Sequence, residues 1–232
     1  MARRFALFLG ASLALTTPLP AFTQETGATS PTLPLTARGN EPFWSIAAGP
    51  EGLRLTEPEG KGTVQALPFT QTTDGDSLIL TTTDFTLRID PTLCYDDMSG
   101  MPFPYTATLT RAATNLNGCA GDPAALLAGD WTVTSLAAAP IPAGTDVTLS
   151  FRDGRVAGNS GCNRLSGSYD LTGEGLTLSQ IATTRMACPA PQMETEQTVL
   201  AALASITRFD IADDGTLLLQ SQEGTTALAA RR

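Results

Sequence analysis

The sequence predicts a mainly β protein of the α+β kind: two small antiparallel domains, sheet-like or barrel-like, the second with one packed helix. Three observations point there. Acid-Gly dipeptides recur along the 232 residues, at Glu51-Gly52, Glu59-Gly60, Asp74-Gly75, Asp153-Gly154, Glu174-Gly175, Asp214-Gly215 and Glu223-Gly224, and such pairs supply the positive φ that tight hairpins require. Most are flanked by short runs in which apolar residues alternate with Thr, whose branched side chain suits an exposed pleat. One stretch alone stands out at the helical period, and the 21 Gly and 16 Pro argue against long helices elsewhere.

Residues 1–21 read as a secretory signal: Arg3 and Arg4, an apolar run from Phe5 to Leu15, then Thr-Thr-Pro-Leu-Pro-Ala21 ending in a small residue. The run is shorter than the roughly 18 apolar residues of a membrane span. The first Cys is Cys94, so no lipidation Cys stands at the cleavage point, and the mature protein is expected not to be a lipoprotein. Residues 22–37 are polar and Pro-bearing and read as a flexible leader. The first domain is expected over 38–123, with its clearest strands at Ser77–Thr81, Phe85–Ile89 and Tyr105–Leu109. Gly118-Cys-Ala-Gly-Asp-Pro123 breaks the pattern, and Trp131 opens a fresh alternating run in the second domain, 124–232, where Val147–Phe151 and Thr216–Gln220 are the clearest strands.

The helix is expected over Pro191–Ser205. Glu196, Val199, Leu200 and Leu203 recur at i, i+3, i+4 and i+7, with Met193 one turn before and Ile206 one turn after. Pro191 fits the first turn, and Glu194 and Glu196 stand where the helix dipole favours acids. Such a helix would cover or plug the second sheet.

Composition closes several functional classes. Without His there is no imidazole base, no Ser-His-Asp or Cys-His nucleophile pair and no His-bearing zinc site. A formal net charge of -9 argues against nucleic acid, whose binding modules carry clustered positive charge. Removal of residues 1–21 takes Arg3 and Arg4 with it and leaves 12 basic against 23 acidic residues, a net charge of -11. A single Lys, Lys61, beside 13 Arg points to a GC-rich bacterial genome, and with the signal this makes the periplasm the expected compartment.

An oxidising compartment turns four Cys into a disulfide expectation. Three pairings are open from sequence alone. The positions fall into two couples, and the local pairing, Cys94 with Cys119 and Cys162 with Cys188, closes two loops of about 25 residues. The rival is a four-thiolate metal site, against which the lack of any Cys-x-x-Cys knuckle counts.

The segment Gly158-Asn-Ser-Gly-Cys-Asn-Arg-Leu-Ser-Gly-Ser-Tyr169, followed by Leu176-Thr-Leu, Thr183-Thr-Arg-Met-Ala-Cys-Pro189, Met193-Glu-Thr-Glu196 and a Leu-rich helix, resembles the META domain of the HslJ type over residues 124–232. The resemblance implies a small secreted or lipid-anchored bacterial protein; HslJ itself is associated with heat shock and novobiocin resistance. No catalytic residues are established for that family, so none carry over, and the lipidated Cys of HslJ has no counterpart here. The first domain is similar to a bacterial envelope domain recognisable by Gly39-Asn-Glu-Pro-Phe-Trp44, Cys94-Tyr-Asp-Asp-Met-Ser-Gly100 and Gly118-Cys-Ala120.

Two readings of the Gly-Cys-Asn-Arg motif compete. As structural glue, its glycines let a strand bend while Cys162 bridges to Cys188, Asn163 satisfies loose backbone groups, and Arg164 or Arg185 pairs with Glu194 or Glu196. As a site, Asn163, Arg164 and Arg185 converge on an anionic ligand or partner, since two guanidinium groups near one Gly-rich turn recognise a carboxylate. These three are the candidate binding residues. In the first domain Asp96 and Asp97 read either as a solvated turn beside a disulfide or as paired carboxylates or calcium ligands. Phe43 and Trp44 are expected in a core or at the domain edge.

Catalytic machinery is not visible. Ser160 sits in Gly-Asn-Ser-Gly-Cys rather than a nucleophile elbow, Lys61 sits in a wet Glu-Gly-Lys-Gly turn, and no spacing selects a carboxylate pair. The expected function is a non-enzymatic periplasmic binding module in envelope stress tolerance, with no cofactor or metal. Its partner is expected to be a protein or a small anionic ligand, not nucleic acid, and no stable membrane anchor remains after signal cleavage. The alternative is an inhibitor of a secreted enzyme such as c-type lysozyme, suggested by Ser166-Gly-Ser-Tyr169 and by the charge that an acidic protein offers a basic enzyme.

Overall fold

A computed structural model describes residues 29–57 and 66–232. The expected signal, the first part of the expected leader, the Glu59-Gly60 turn and Lys61 lie outside those residues. The chain is mostly β, as its turn chemistry predicts. Its first strands are β1 (Leu35–Asn40), β2 (Phe43–Gly49), β3 (Gly52–Thr56), β4 (Thr70–Asp74), β5 (Ser77–Thr81) and β6 (Thr86–Asp90). A short hairpin of β7 (Cys94–Tyr95) and β8 (Pro102–Phe103) follows, then β9 (Tyr105–Arg111) and β10 (Thr114–Ala120). A single helical turn, α1 (Pro123–Leu127), leads to β11 (Gly129–Leu136), β12 (Ala139–Pro140), β13 (Val147–Arg152), β14 (Arg155–Ser160), β15 (Arg164–Thr172) and β16 (Gly175–Thr183). The helix α2 (Ala190–Ser205) precedes β17 (Ile206–Ile211), β18 (Leu217–Ser221) and β19 (Thr226–Arg231).

Two large antiparallel sheets result. The first is a half-barrel in the order β3-β2-β1-β10-β9-β6-β5-β4; the second, in the order β16-β15-β14-β13-β11-β19-β18-β17 with β12 on β11, is a nearly closed barrel. Its two end strands approach so closely that a Cβ on Gly175 would stand 2.3 Å from the Thr207 carbonyl oxygen. Glycine is required there for the seam to close. The six described acid-Gly dipeptides all fall at links between consecutive strands. In the tightest, Asp153 (φ 49) and Gly154 (φ 74) both take positive φ between β13 and β14, the geometry of a type I′ hairpin. The first sheet starts at Leu35, three residues before the break placed at Arg38, and Leu33 packs on its core.

Alternation sorts each strand into a buried and an open face. On the inner face of the first sheet lie Ala37, Trp44, Ile46, Leu53, Leu80, Leu87, Ile89 and Leu109. Its outer face is polar, with Thr86, Thr110 and Asn115 in one register row and Arg88, Thr108 and Asn117 in the next. The second core gathers Trp131, Val147, Leu149, Phe151, Leu176, Leu217 and Leu228 around Val199 and Leu203 of α2. At about 25 cal/mol per Å2 of apolar surface, each such large side chain contributes on the order of 2 kcal/mol. The helix starts one residue earlier than expected, with Pro191 in its first turn, and packs against the second sheet. Its first turn holds no acid, so the dipole rationale for Glu194 and Glu196 is corrected. Met101 and Phe103, which precede α1, join the second core rather than the first.

Candidate binding site

Gly158 and Gly161 shape the approach to the Gly-Cys-Asn-Arg motif. A Cβ on Gly158 would stand 1.9 Å from the Thr148 carbonyl oxygen on β13, and Gly161 turns the chain at φ +105 as β14 ends. The turn delivers Cys162 to Cys188, Cα atoms 5.9 Å apart. It also buries Ser160, Asn163 and, from α2, Glu196, at 0%, 2% and 7% exposure. Three charged or polar groups this deep need partners, and they supply one another. Glu196 Oε2 accepts from the Ser160 hydroxyl at 2.6 Å and the Asn163 backbone N–H at 2.9 Å, and Oε1 accepts from Asn163 Nδ2 at 3.1 Å. Burial alone would push the Glu196 carboxyl up, but these three donors outweigh it and hold it below its ordinary range.

Asn163 then ties in the disulfide-bearing segment. Its Nδ2 donates to the Met186 carbonyl at 3.3 Å, and its Oδ1 accepts from the Thr184 hydroxyl at 2.8 Å and the Met186 N–H at 2.7 Å. Both amide hydrogens and both lone pairs are spent inside the protein. The Asn163 side chain thus satisfies loose backbone groups, with each of its polar atoms partnered inside the protein.

Arg164 and Arg185 are exposed, unlike Asn163. The chain brings them near each other through backbone pairing: Arg164 N donates to the Thr184 hydroxyl at 3.2 Å and Thr184 N to the Arg164 carbonyl at 3.0 Å. Neither forms a salt bridge among the described residues, and the expected pairing with Glu194 or Glu196 does not occur. The reason is geometric: Glu196 points into the barrel, where neutral donors reach it first. Met186, next to Arg185, is 57% exposed. The Ser166-Gly-Ser-Tyr169 run lies on β15. Gly167 sits at a bulge against Ile181, the Ser168 hydroxyl is 3.0 Å from that of Ser179, and the Tyr169 ring meets Phe151 edge-on at 5.5 Å.

The motifs of the first sheet also converge. Gly39 and Trp44 are cross-strand partners, and a Cβ on Gly39 would stand 2.3 Å from Trp44 Nε1, so the glycine makes room for the buried indole. Trp44 is in the core at 1% exposure, while Phe43 is 44% exposed. Asn40 Nδ2 donates to Asp96 Oδ2 at 3.0 Å, joining the two sequence motifs. Asp96 Oδ1 accepts from the Ser99 N–H and hydroxyl, each at 2.8 Å, and from Met98 N at 3.2 Å. Partial burial pushes the Asp96 carboxyl up, and the bonds from Asn40, Ser99 and Met98 pull it below its ordinary range. That is a capped turn, beside the Cys94–Cys119 disulfide. No group of three or more metal-ligating side chains forms among the described residues.

The same turn reaches the second sheet. Tyr95 donates its hydroxyl to Asp210 at 2.9 Å, and Arg208 donates to the Ser99 carbonyl at 3.0 Å, both partners being on β17 at the barrel seam. Partial burial, then the Asp210 bond and the charges of Asp210 and Asp213, push the Tyr95 phenol up to about 12.

With this geometry in place, residues 124–232 match the META domain family. Two solved structures are similar to the chain. One is an NMR structure of a protein from Burkholderia xenovorans, 29% identical, with a TM-score of 0.40, covering 47% of this chain and 85% of its own. The other, also an NMR structure, is 24% identical with a TM-score of 0.39 and covers 48% of this chain and 94% of its own. No curated protein matches. The META domain is not a known enzyme family. Two disulfides fit an extracytoplasmic compartment, and among the described residues no helix is long and apolar enough to cross a membrane.

Proposed function

We propose that the chain is a non-enzymatic periplasmic binding protein acting in envelope stress tolerance, and that its META-matched part binds through the surface of Arg164, Arg185 and Met186. One observation carries the reading. Two exposed guanidinium groups that form no salt bridge among the described residues, and an exposed Met, ride on segments that a disulfide and the Asn163–Glu196 bonds hold from beneath. A preorganised pair of forked donors loses little entropy on engaging a carboxylate. In a protein of net charge -9 such a patch is a local exception that orients an anionic partner.

The test is a pull-down from periplasmic extract with the mature protein and an Arg164→Ala/Arg185→Ala double variant shown to be folded. A specific partner captured by the wild type and lost by the variant is the expected result. Capture unchanged by the double substitution sinks the assignment of this surface. Sensitivity of the deletion strain to heat, detergent or hydrophobic antibiotics tests the stress role separately, and wild-type tolerance of all three refutes it.

A further inference from the structure

The outer face of β1, β10 and β9 carries a second preformed cleft, far in sequence from Arg164 and Arg185. Register places its floor on one face of the sheet: Thr108 is opposite Asn117, Thr106 opposite Cys119, and Cys119 opposite Arg38, with Asn40 two residues further along β1. The Cys94–Asp97 segment forms a wall. Three ties fix that wall: the Cys94–Cys119 disulfide, the Asn40–Asp96 bond, and the Tyr95 hydroxyl on Asp210 of the second sheet. The open cleft has a volume of about 230 Å3, below the roughly 300–1,000 Å3 of pockets that bury whole drug-sized ligands. It suits one ring of a longer molecule.

The chemistry of the lining narrows the ligand. Arg38, Asp97, Thr106, Thr108 and Asn117 make no side-chain hydrogen bond among the described residues, so their donors and acceptors remain for an occupant. Arg38 instead stacks on Phe103, its guanidinium carbon 4.5 Å from the ring centroid, which fixes the plane of the fork. Its charge is offset by Asp96 and Asp97, so the cleft has no net pull on an anion. The floor holds no large apolar side chain that would seat a hydrophobe. Guanidinium, carboxylate and amide each present paired groups that match vicinal hydroxyls, which both donate and accept. Tyr95, 47% exposed, lines the cleft and supplies its aromatic surface, and an aromatic face packs on the apolar C–H face of a pyranose. We propose that this cleft binds a neutral saccharide, one hexose ring per site, with Arg38, Asn40, Asp97, Thr106, Thr108 and Asn117 as its hydrogen-bonding groups and Tyr95 as its aromatic wall.

The experiment titrates the full mature chain with tri-N-acetylchitotriose, maltotriose and cellotriose into the millimolar range, by calorimetry and by amide NMR with the backbone assigned. At least one sugar is expected to saturate, shifting the amides of Thr106, Thr108 and Asn117. Asn117→Ala and Asp97→Ala, both at exposed positions and checked to be folded, are each expected to weaken it about tenfold, the loss of one strong hydrogen bond. Arg164→Ala/Arg185→Ala is expected to leave it unchanged, which separates this site from the META surface. Absence of saturable binding by all three sugars overturns the proposal. So do shifts that map outside the cleft, or equal affinity in both cleft variants.

Discussion

Replacing Glu196 by Gln tests whether the buried bonds beneath the Gly-Cys-Asn-Arg motif stabilise the second barrel. The carboxylate accepts three bonds, at 2.6, 2.9 and 3.1 Å. An amide keeps its oxygen toward Ser160 Oγ and Asn163 N, but its nitrogen then faces Asn163 Nδ2, donor against donor, so one bond is lost. Hydrogen bonds to a charged group contribute roughly 1.5–3 kcal/mol and neutral ones about half that. Losing one and halving two comes to about 3–6 kcal/mol, of which the neutral side chain recovers a large part in desolvation, leaving about 2–3 kcal/mol. For a chain of this size that is about 5–10 °C in Tm. The assay is thermal and urea unfolding of wild type, Glu196→Gln and, as a control at an exposed position of the same helix, Glu194→Gln.

The pH dependence adds a second check on Glu196. Its carboxyl is held below the ordinary 4.5 in the folded protein, so its contribution is fully present above that value and is lost as pH falls through the lower folded value. The wild-type advantage over Glu196→Gln is therefore flat near neutrality and shrinks below about pH 4.5. Equal stability of Glu196→Gln and wild type near pH 7, or an advantage that grows on acidification, refutes the reasoning.

Three further outcomes follow from the same structure. Cys162→Ser/Cys188→Ser, which opens a 26-residue separation, is expected to cost about 3 kcal/mol in urea unfolding; a loss under 1 kcal/mol would show the loop constrained by other contacts. Gly158→Ala would place a methyl 1.9 Å from the Thr148 carbonyl oxygen and is expected to destabilise by roughly 1–3 kcal/mol, whereas Gly173→Ala, with open space around it, should match wild type. Tyr95 is expected to titrate near 12 by NMR and to fall toward its ordinary value in Asp210→Asn; a titration indifferent to that substitution would mean the two sheets are not joined by this bond in solution.

The hairpins were legible because acid-Gly pairs announce positive φ, and the helix because Val199 and Leu203 recur at its period. The hairpins at Ala112-Ala113 and Ala137-Ala138 were not. Both alanines of each pair take positive φ, 45 and 66 in one and 45 and 67 in the other, an unfavourable geometry for a side chain with a Cβ, imposed by the strands on either side rather than by local preference. Glu196 carried a signal that periodicity alone could not interpret: an acid within an apolar stripe is either at its edge or buried with partners, and its partners lie 33 and 36 residues away. The disulfide couples were readable from spacing. The Tyr95–Asp210 contact, 115 residues apart, was not, since nothing local to either residue specifies it.

The seam where β16 meets β17 bears on how the protein avoids clinging to its own kind. A strand at the end of a sheet is a template on which another chain can add itself, and natural sheets blunt such ends. In the second sheet the two ends blunt each other, because Gly175 lets the backbones come within touching distance, and the Tyr95–Ser99 turn lies over part of what remains. Among the described residues the half-barrel has no such arrangement at β4, Thr-Gln-Thr-Thr-Asp, whose side chains are all exposed at the sheet's end. Self-association in a partly unfolded or crowded sample would therefore enter through the first sheet, and a Pro or Lys at Thr72 is where an engineer would block it.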